Sequence, residues 1–315
     1  MQKKAPDRQS RCIFIGGGEK GYECLQILLS EKYVPIFVFC MKEDQHEKKR
    51  FSEKISDLLR QRGIPFIVSK TVDNSESIER IKKLSPDLII VMGWRTIIPQ
   101  KILDIPSRGT VAVHESLLPL YRGFAPVNWC IINGEKETGV TLFYIDGGMD
   151  SGDIISQRKI VIESDMTAWQ LYQKTKRISL SLLRNNLSAI MTGTVKRKKQ
   201  NHRLATYTVP RTPEDGHIDW AWDNRRIYNF IRGQSHPYPG AFSYYKGVKV
   251  IFQKASLPLD APIYVGRIPG KIIGHVKGSV DILTGEGTIR IEQIEVEGKY
   301  FSPESFLTSI KTKLS

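Results

Sequence analysis

The sequence predicts an α/β chain: a mostly parallel sheet with helices on both faces, followed by a small barrel or sandwich of short strands. Two observations predict this. In the first 205 residues or so, continuous apolar runs of strand length alternate with helical periodicity, as strands buried on both faces require. After that, short runs of alternating polarity are split by Gly, Pro and Asp.

In order, RCIFIGG reads as a buried strand and EKGYECLQILLSE as a helix. VPIFVFCM is a strand, EKKRFSEKISDLLRQRG a helix ending at Gly63, and PFIVSK a strand. SESIERIKKL is a helix opened by a serine cap, and DLIIVMG a strand. TGVTLFYID and DIISQRKIVI add strands, and a long helical pattern from Ala168 to Ile190 closes the first domain. GAFSYY, KVIFQKA, GKIIGHV, SVDILT and GTIRIEQIEV supply the strands of the second. The boundary falls between 200 and 210, giving domains 1–205 and 206–315, and the tail FSPESFLTSIKTKLS reads as a terminal helix.

The 315 residues are 40% hydrophobic and 25% charged, the balance of a globular domain with a sizeable core. No apolar run is long enough to span a bilayer, and MQKKAPDRQSR is a polar lead-in rather than a signal peptide, so the expected location is the cytoplasm. Cys12, Cys24, Cys40 and Cys130 lack paired spacing and read as reduced, buried thiols; no metal site is expected. The net charge of +14 favours anionic partners without choosing among nucleic acid, phosphates and carboxylate-rich cofactors. The tract Lys196-Arg197-Lys198-Lys199 reads as a solvated linker, with an RNA landing patch as the sharper reading.

Gly16-Gly17-Gly18-Glu19-Lys20-Gly21 matches G-x-G-x-x-G after a strand, with Glu43 at the end of the next. A tight strand-to-helix turn is preferred to NAD binding, since glycine is the default residue there. The chemistry concentrates elsewhere. His114 ends the strand TVAVH, where parallel sheets bind ligands. Asp150 sits in DGGMDSGDII, a loop whose glycines let it approach a ligand, and its carboxylate can orient an imidazole. Between them, Ser116-Leu117-Leu118-Pro119-Leu120-Tyr121-Arg122-Gly123 offers a hydroxyl, a phenol and a guanidinium in a rigid turn. Singly, His114 reads as a core histidine and Asp150 as a turn residue; together they read as a site.

HESLLPLYRGFAPVNWCIINGEKETGVTLFYIDGGMDSGDII resembles the signature of the folate-dependent formyltransferases, with 36 residues from histidine to aspartate. DLIIVMGWRTIIPQKIL is similar to the family's folate-ring strand and loop. ATYTVPRTPEDGHIDW and FIRGQSHPYPGAFSY resemble the start of the second domain in the nucleotide-sugar N-formyltransferases, such as the formyltransferase half of the bacterial aminoarabinose enzyme of lipid A modification. The likeness runs from Ile13 to about Val296.

The resemblance implies a Rossmann-like first domain without NAD, an OB-like barrel as the second, and 10-formyltetrahydrofolate as donor. It implies His114 as base or oxyanion donor and Asp150 as its orienting partner. An asparagine usual in the family, which donates to the formyl oxygen, is replaced here by Ala112. Folate contacts are expected from Met92, Gly93, Trp94, Arg95, Ile97, Asp146, Gly147 and Gly148. Acceptor contacts are expected from Ser116, Leu118, Pro119, Tyr121, Arg122, Gly123, Arg232 and Tyr238. The expected acceptor and partner is a nucleotide-linked amino sugar, in particular a UDP-linked 4-amino sugar of a surface glycan. Neither nucleic acid nor membrane is expected, and a homodimer through the C-terminal domain is. The alternative is methionyl-tRNA formyltransferase, set aside because the loop KEDQHEKKRFSEK is short and lacks glycine. A non-catalytic folate- or nucleotide-sugar-binding protein rests on Ala112 alone.

Overall fold

The structure, a computed structural model, describes residues 10–44 and 50–315. Most of the polar lead-in and residues 45–49 of the KEDQHEKKRFSEK loop lie outside the described residues. The chain forms two compact units. The first comprises the described residues of Met1–Arg122 with Gly139–Lys159 and Thr175–Thr206; the second comprises Gly123–Thr138, Ile160–Lys174 and Tyr207–Ser315. Besides everything after Thr206, the second unit takes up two earlier segments of the chain.

The first strands and helices alternate: β1 (Cys12–Gly16), α1 (Gly18–Ser30), β2 (Phe37–Met41), α2 (Phe51–Gln61), β3 (Phe66–Ser69), α3 (Ser75–Leu84), β4 (Leu88–Met92), α4 (Gln100–Leu103) and β5 (Thr110–His114). The chain continues through β6 (Arg122–Gly123), α5 (Pro126–Ile132), β7 (Glu137–Ile145), β8 (Ile154–Val161) and α6 (Ala168–Thr192). Seven strands form one sheet in the order β3-β2-β1-β4-β5-β7-β8. Every pairing from β3 to β5 is parallel, and β7 runs antiparallel to β5. All residues of β1, β2 and β4 are buried, which is why these strands read as unbroken apolar runs. Helix α3 is capped by Asn74, not by a serine: its side chain accepts from the Ser77 amide at 2.8 Å, leaving Ser75 inside the first turn.

The basic tract is no free linker. Lys198 exchanges two backbone hydrogen bonds of 2.8 Å with Ile154, and the Arg197 guanidinium lies 3.6 Å over the Tyr144 ring. The backbone donors and acceptors of the tract thus extend the sheet edge, which charge patterning could not reveal.

In the second unit, β9 (Tyr207–Thr208) and α7 (Asn224–Arg232) precede β10 (Ala241–Tyr245), β11 (Val248–Ser256), β12 (Ile272–Val276), β13 (Ser279–Leu283), β14 (Thr288–Val296), β15 (Lys299–Phe301) and α8 (Pro303–Phe306). Strands run antiparallel in the order β10-β11-β14-β13-β12, and β15 pairs with β14. Trp220, Ile227, Phe230, Phe252 and Ile291 meet in its core. The tail is not a terminal helix: α8 is one turn, after which Leu314 is fully buried and Ser315 exchanges backbone hydrogen bonds with Tyr244. Leu307 and Leu314, seven residues apart, are both fully buried, but the backbone between them is not helical.

All four cysteines are free and buried. Burial pushes the Cys12, Cys40 and Cys130 thiols up to about 12, and Cys24 upward as well. No helix among the described residues is long and apolar enough to cross a membrane.

Candidate active site

The glycine turn and the loop after β4 meet backbone to backbone. Gly17 donates to the Met92 carbonyl at 3.2 Å, and its own carbonyl accepts from Gly21 at 3.0 Å. A Cβ on Gly93, where φ is +69°, would lie 2.3 Å from the Gly17 oxygen. These glycines serve a close crossing of two loops at the carboxyl ends of β1 and β4. Beyond the crossing lie the residues expected to hold folate. Met92 is buried, Trp94 half-buried, and Arg95 and Ile97 exposed. The Trp94 indole N–H is shielded from solvent and has no hydrogen-bond partner among the described residues.

Strand β5 lies between β4 and β7, pairing Ala112 with Val91 and Phe143. Thr110, Ala112 and His114 share one face by the two-residue period of a strand. Ala112 packs beside Leu118, Phe143 and Ile154. Its methyl leaves that face without an amide.

His114 is 7% exposed. Its Nε2 is 2.7 Å from the Tyr121 carbonyl, which can only accept, so Nε2 carries a proton and donates. Its Nδ1 then faces Asp150, whose Oδ2 is 3.5 Å away. Asp150 sits at φ +49°, the left-handed region, and Tyr121 at φ +58°. Both partners of the imidazole are thus held in sparsely populated backbone conformations.

What holds the aspartate loop is a buried chain of side chains. Gln200 donates through Nε2 to the Asp150 carbonyl at 2.8 Å and the Gly152 carbonyl at 2.7 Å. Its Oε1 accepts from Arg122 at 2.6 and 3.2 Å, and Arg122 also meets His202 Nδ1 at 3.1 Å. Arg122 is only 2% exposed, so its guanidinium serves this chain. Asp146 closes the same loop, accepting from the Gly148 amide at 3.1 Å and the Ser151 hydroxyl at 2.6 Å. A Cβ on Gly152 would fall 1.8 Å from the Tyr144 oxygen, so that position requires glycine. Gly147 and Gly148 are exposed beside it.

The turn between His114 and Arg122 is also internally bonded. Ser116 is 1% exposed and donates to the Leu120 carbonyl at 2.6 Å. Leu118 is buried, and its peptide to Pro119 is cis. The Tyr121 amide donates to Thr206 Oγ1 at 2.8 Å, and Gly123 follows at φ +99°. Of the expected acceptor contacts, Gly123, Arg232 and Tyr238 belong to the second unit. Arg232 is 7% exposed and donates to the Met166 carbonyl at 2.6 Å and to Asn229 Oδ1 at 2.9 Å. Tyr238 is half-buried in the turn after α7.

Sequence reasoning missed Gln200 and the pair formed by Lys20 and Glu115. Gln200 follows the basic tract with no local signal of its contacts. Lys20 lies in the glycine turn and pairs with Glu115, the residue after His114. Burial would raise the Glu115 carboxyl, but the Lys20 ammonium outweighs it and holds the group below its ordinary range.

A family model described as formyl transferase matches residues 11–187, and one described as formyl transferase, C-terminal domain, matches 211–311. The chain is 37% identical over 250 residues to the methionyl-tRNA formyltransferase of Geobacter metallireducens, covering 79% of this chain and 78% of that one. It is 36% identical over 289 residues to that of Acetivibrio thermocellus, covering 91% and 92%. A solved N-formyltransferase from Helicobacter canadensis, in complex with folinic acid and dTDP-3-aminofucose, matches with a TM-score of 0.70 at 20% identity, covering 91% of this chain and all of that one.

These findings overturn the expectation of a nucleotide-sugar acceptor. Relatives at 36–37% identity carry a tRNA formyltransferase name, whereas sugar enzymes enter as structural likenesses near 20%, which speak to the fold alone. The short, glycine-free loop at 42–54 was a poor discriminator. Connections between elements vary in length at small energetic cost, so length and glycine content here say little about the acceptor.

Proposed function

The chain belongs to the formyl transferase family, and on that premise we propose that it is a methionyl-tRNA formyltransferase, moving a formyl group from 10-formyltetrahydrofolate to the amine of a methionyl-tRNA. The observation that carries this reading is its 36–37% identity to two methionyl-tRNA formyltransferases across 79–91% of its length. The net charge of +14 suits a polyanionic acceptor, and four unpaired buried thiols suit the reducing cytoplasm.

Met92, Gly93, Trp94, Arg95 and Ile97 would hold the folate ring, with Asp146, Gly147 and Gly148 on the facing loop. The fit rests on Trp94: its orphaned indole N–H needs an acceptor, and a pterin ring is rich in them. When bound, 10-formyltetrahydrofolate supplies the formyl carbon.

The remaining work falls to this chain's side chains. Nε2 of His114 is committed to Tyr121, so Nδ1 takes the proton of the attacking amine and returns it to the folate nitrogen as the formyl C–N bond breaks. Asp150 then stabilises the imidazolium across 3.5 Å. With Ala112 in place of an amide, and both ring nitrogens of His114 engaged by Tyr121 and Asp150, this strand face offers the developing oxyanion the positive charge of the imidazolium but no side-chain donor.

The test is incubation with 10-formyltetrahydrofolate and methionine-charged initiator tRNA, reading formylmethionine by mass. Formylation that disappears in His114→Asn supports the reading; formylation retained in that variant, or none by the wild type, overturns it.

A further inference from the structure

The second unit contains a cleft of ≈ 920 Å³ that the formyl-transfer machinery does not use. It lies among α5, the segment 209–217 and the start of α7. Two of its walls are indoles, each with a guanidinium on its face. Arg226 stands 4.0 Å over the Trp222 ring, and Arg211 4.9 Å over Trp129. Arg211 is pinned in place, donating to the Asp215 carbonyl at 2.7 Å and to Gln234 Oε1 at 2.6 Å.

The two carboxylates of the cleft are committed locally. Asp223 caps α7, accepting from the Arg226 amide at 2.8 Å, and Asp215 accepts from the Thr212 amide at 2.7 Å. Both carboxylates keep their charge; three arginines (Arg211, Arg225, Arg226) against these two leave the lining with a net charge of +1, and Arg225 and Arg226 are its exposed cations. Arg211 also lies 5.3 Å over the Phe230 ring, so the guanidinium left to stack is that of Arg226 on Trp222, and its edge N–H groups match phosphate oxygens. A ligand that uses both needs a planar ring and a phosphate.

We propose that this cleft binds a nucleotide unit with an unstacked base, the base lying on the arginine-capped indole wall and the phosphate on Arg225 and Arg226. This is the pairing of aromatic platforms with basic groups by which proteins hold single-stranded nucleic acid. The unit can come from a free nucleotide or from an unpaired strand. The inference goes beyond the acceptor reading and does not depend on it.

The test uses the full chain, 5′-labelled pentaadenylate followed by fluorescence anisotropy, and unlabelled AMP as competitor. Arg225 and Arg226 are exposed, so the double variant Arg225→Ala/Arg226→Ala keeps the fold, checked by its melting curve. The wild type binds the pentamer; the double variant binds it at least ~10-fold more weakly, with a salt slope reduced by about 1. Displacement by AMP identifies free nucleotide as sufficient, and binding that AMP leaves intact identifies a strand; both support the cleft. No binding of either probe, or equal binding by the double variant, overturns it. Formylation of methionyl-tRNA run in parallel separates the two readings: pentamer binding lost in the variant with no formylation by the wild type leaves the cleft standing and removes the acceptor assignment.

Discussion

Asp150 is held at φ +49° by the Gln200 hydrogen bonds, a conformation that costs a non-glycine residue about 1 kcal/mol or more. Such strain persists because the surroundings fix the carboxylate opposite His114. Asp150→Asn keeps the size and tolerates the left-handed backbone but removes the charge. Its kcat is expected to fall about 100-fold or more in steady-state formylation, with folate affinity unchanged; an unaltered kcat would remove Asp150 from the proton path. Ala112→Asn restores an amide to the face of β5 shared with His114. It is expected to raise kcat, by up to about 100-fold, the worth of one oxyanion donor. A rate equal to wild type would show that position 112 does not face the developing charge. The placement of His114 at a strand end and of Asp150 in a glycine loop was legible in the sequence, and the structure brings the two within 3.5 Å. The burial of Arg122 was not legible, nor was Gln200, whose contacts are made by residues 48 to 78 positions away.

At the scale of elements, the α/β alternation was readable because β1, β2 and β4 are buried on both faces. What periodicity could not show is that the glycine turn exists to let the loop after β4 cross it. Gly93→Ala forces a Cβ to 2.3 Å from the Gly17 oxygen at a left-handed φ. It should cost about 1–3 kcal/mol in urea unfolding and weaken tetrahydrofolate binding together; a loss of stability with folate affinity intact would separate the crossing from the site. The same turn carries Lys20, whose pairing with Glu115 gives an acid-sensitive link. Because the folded carboxyl titrates below its ordinary value, the pair stabilises the fold above the ordinary carboxylate range, and the gain is lost as pH falls through the lowered value. Glu115→Gln should therefore be about 1–3 kcal/mol less stable than wild type at pH 7. The gap should narrow as pH falls below the ordinary carboxylate range, as read by unfolding at pH 7 and at a series of acid pH values. A constant gap across that range would mean that packing, not charge, is lost.

At the scale of the molecule, the change in pattern near residue 205 marked a second β unit, but the segments Gly123–Thr138 and Ile160–Lys174 also belong to it. Their helical and strand patterns are continuous with those of the first unit, so nothing local announces the change. The acceptor was the least legible property. The site signature serves the formyl chemistry, which is indifferent to whether the amine belongs to a sugar or to methionine, and the charge of +14 admits either anionic carrier. The most direct test is a comparison of kcat/KM for methionine-charged initiator tRNA against UDP- and dTDP-linked amino sugars, each with 10-formyltetrahydrofolate and mass detection of product. Formylmethionyl-tRNA as the preferred product is the predicted result; formylation of an amino sugar with the charged tRNA left unreacted would contradict it.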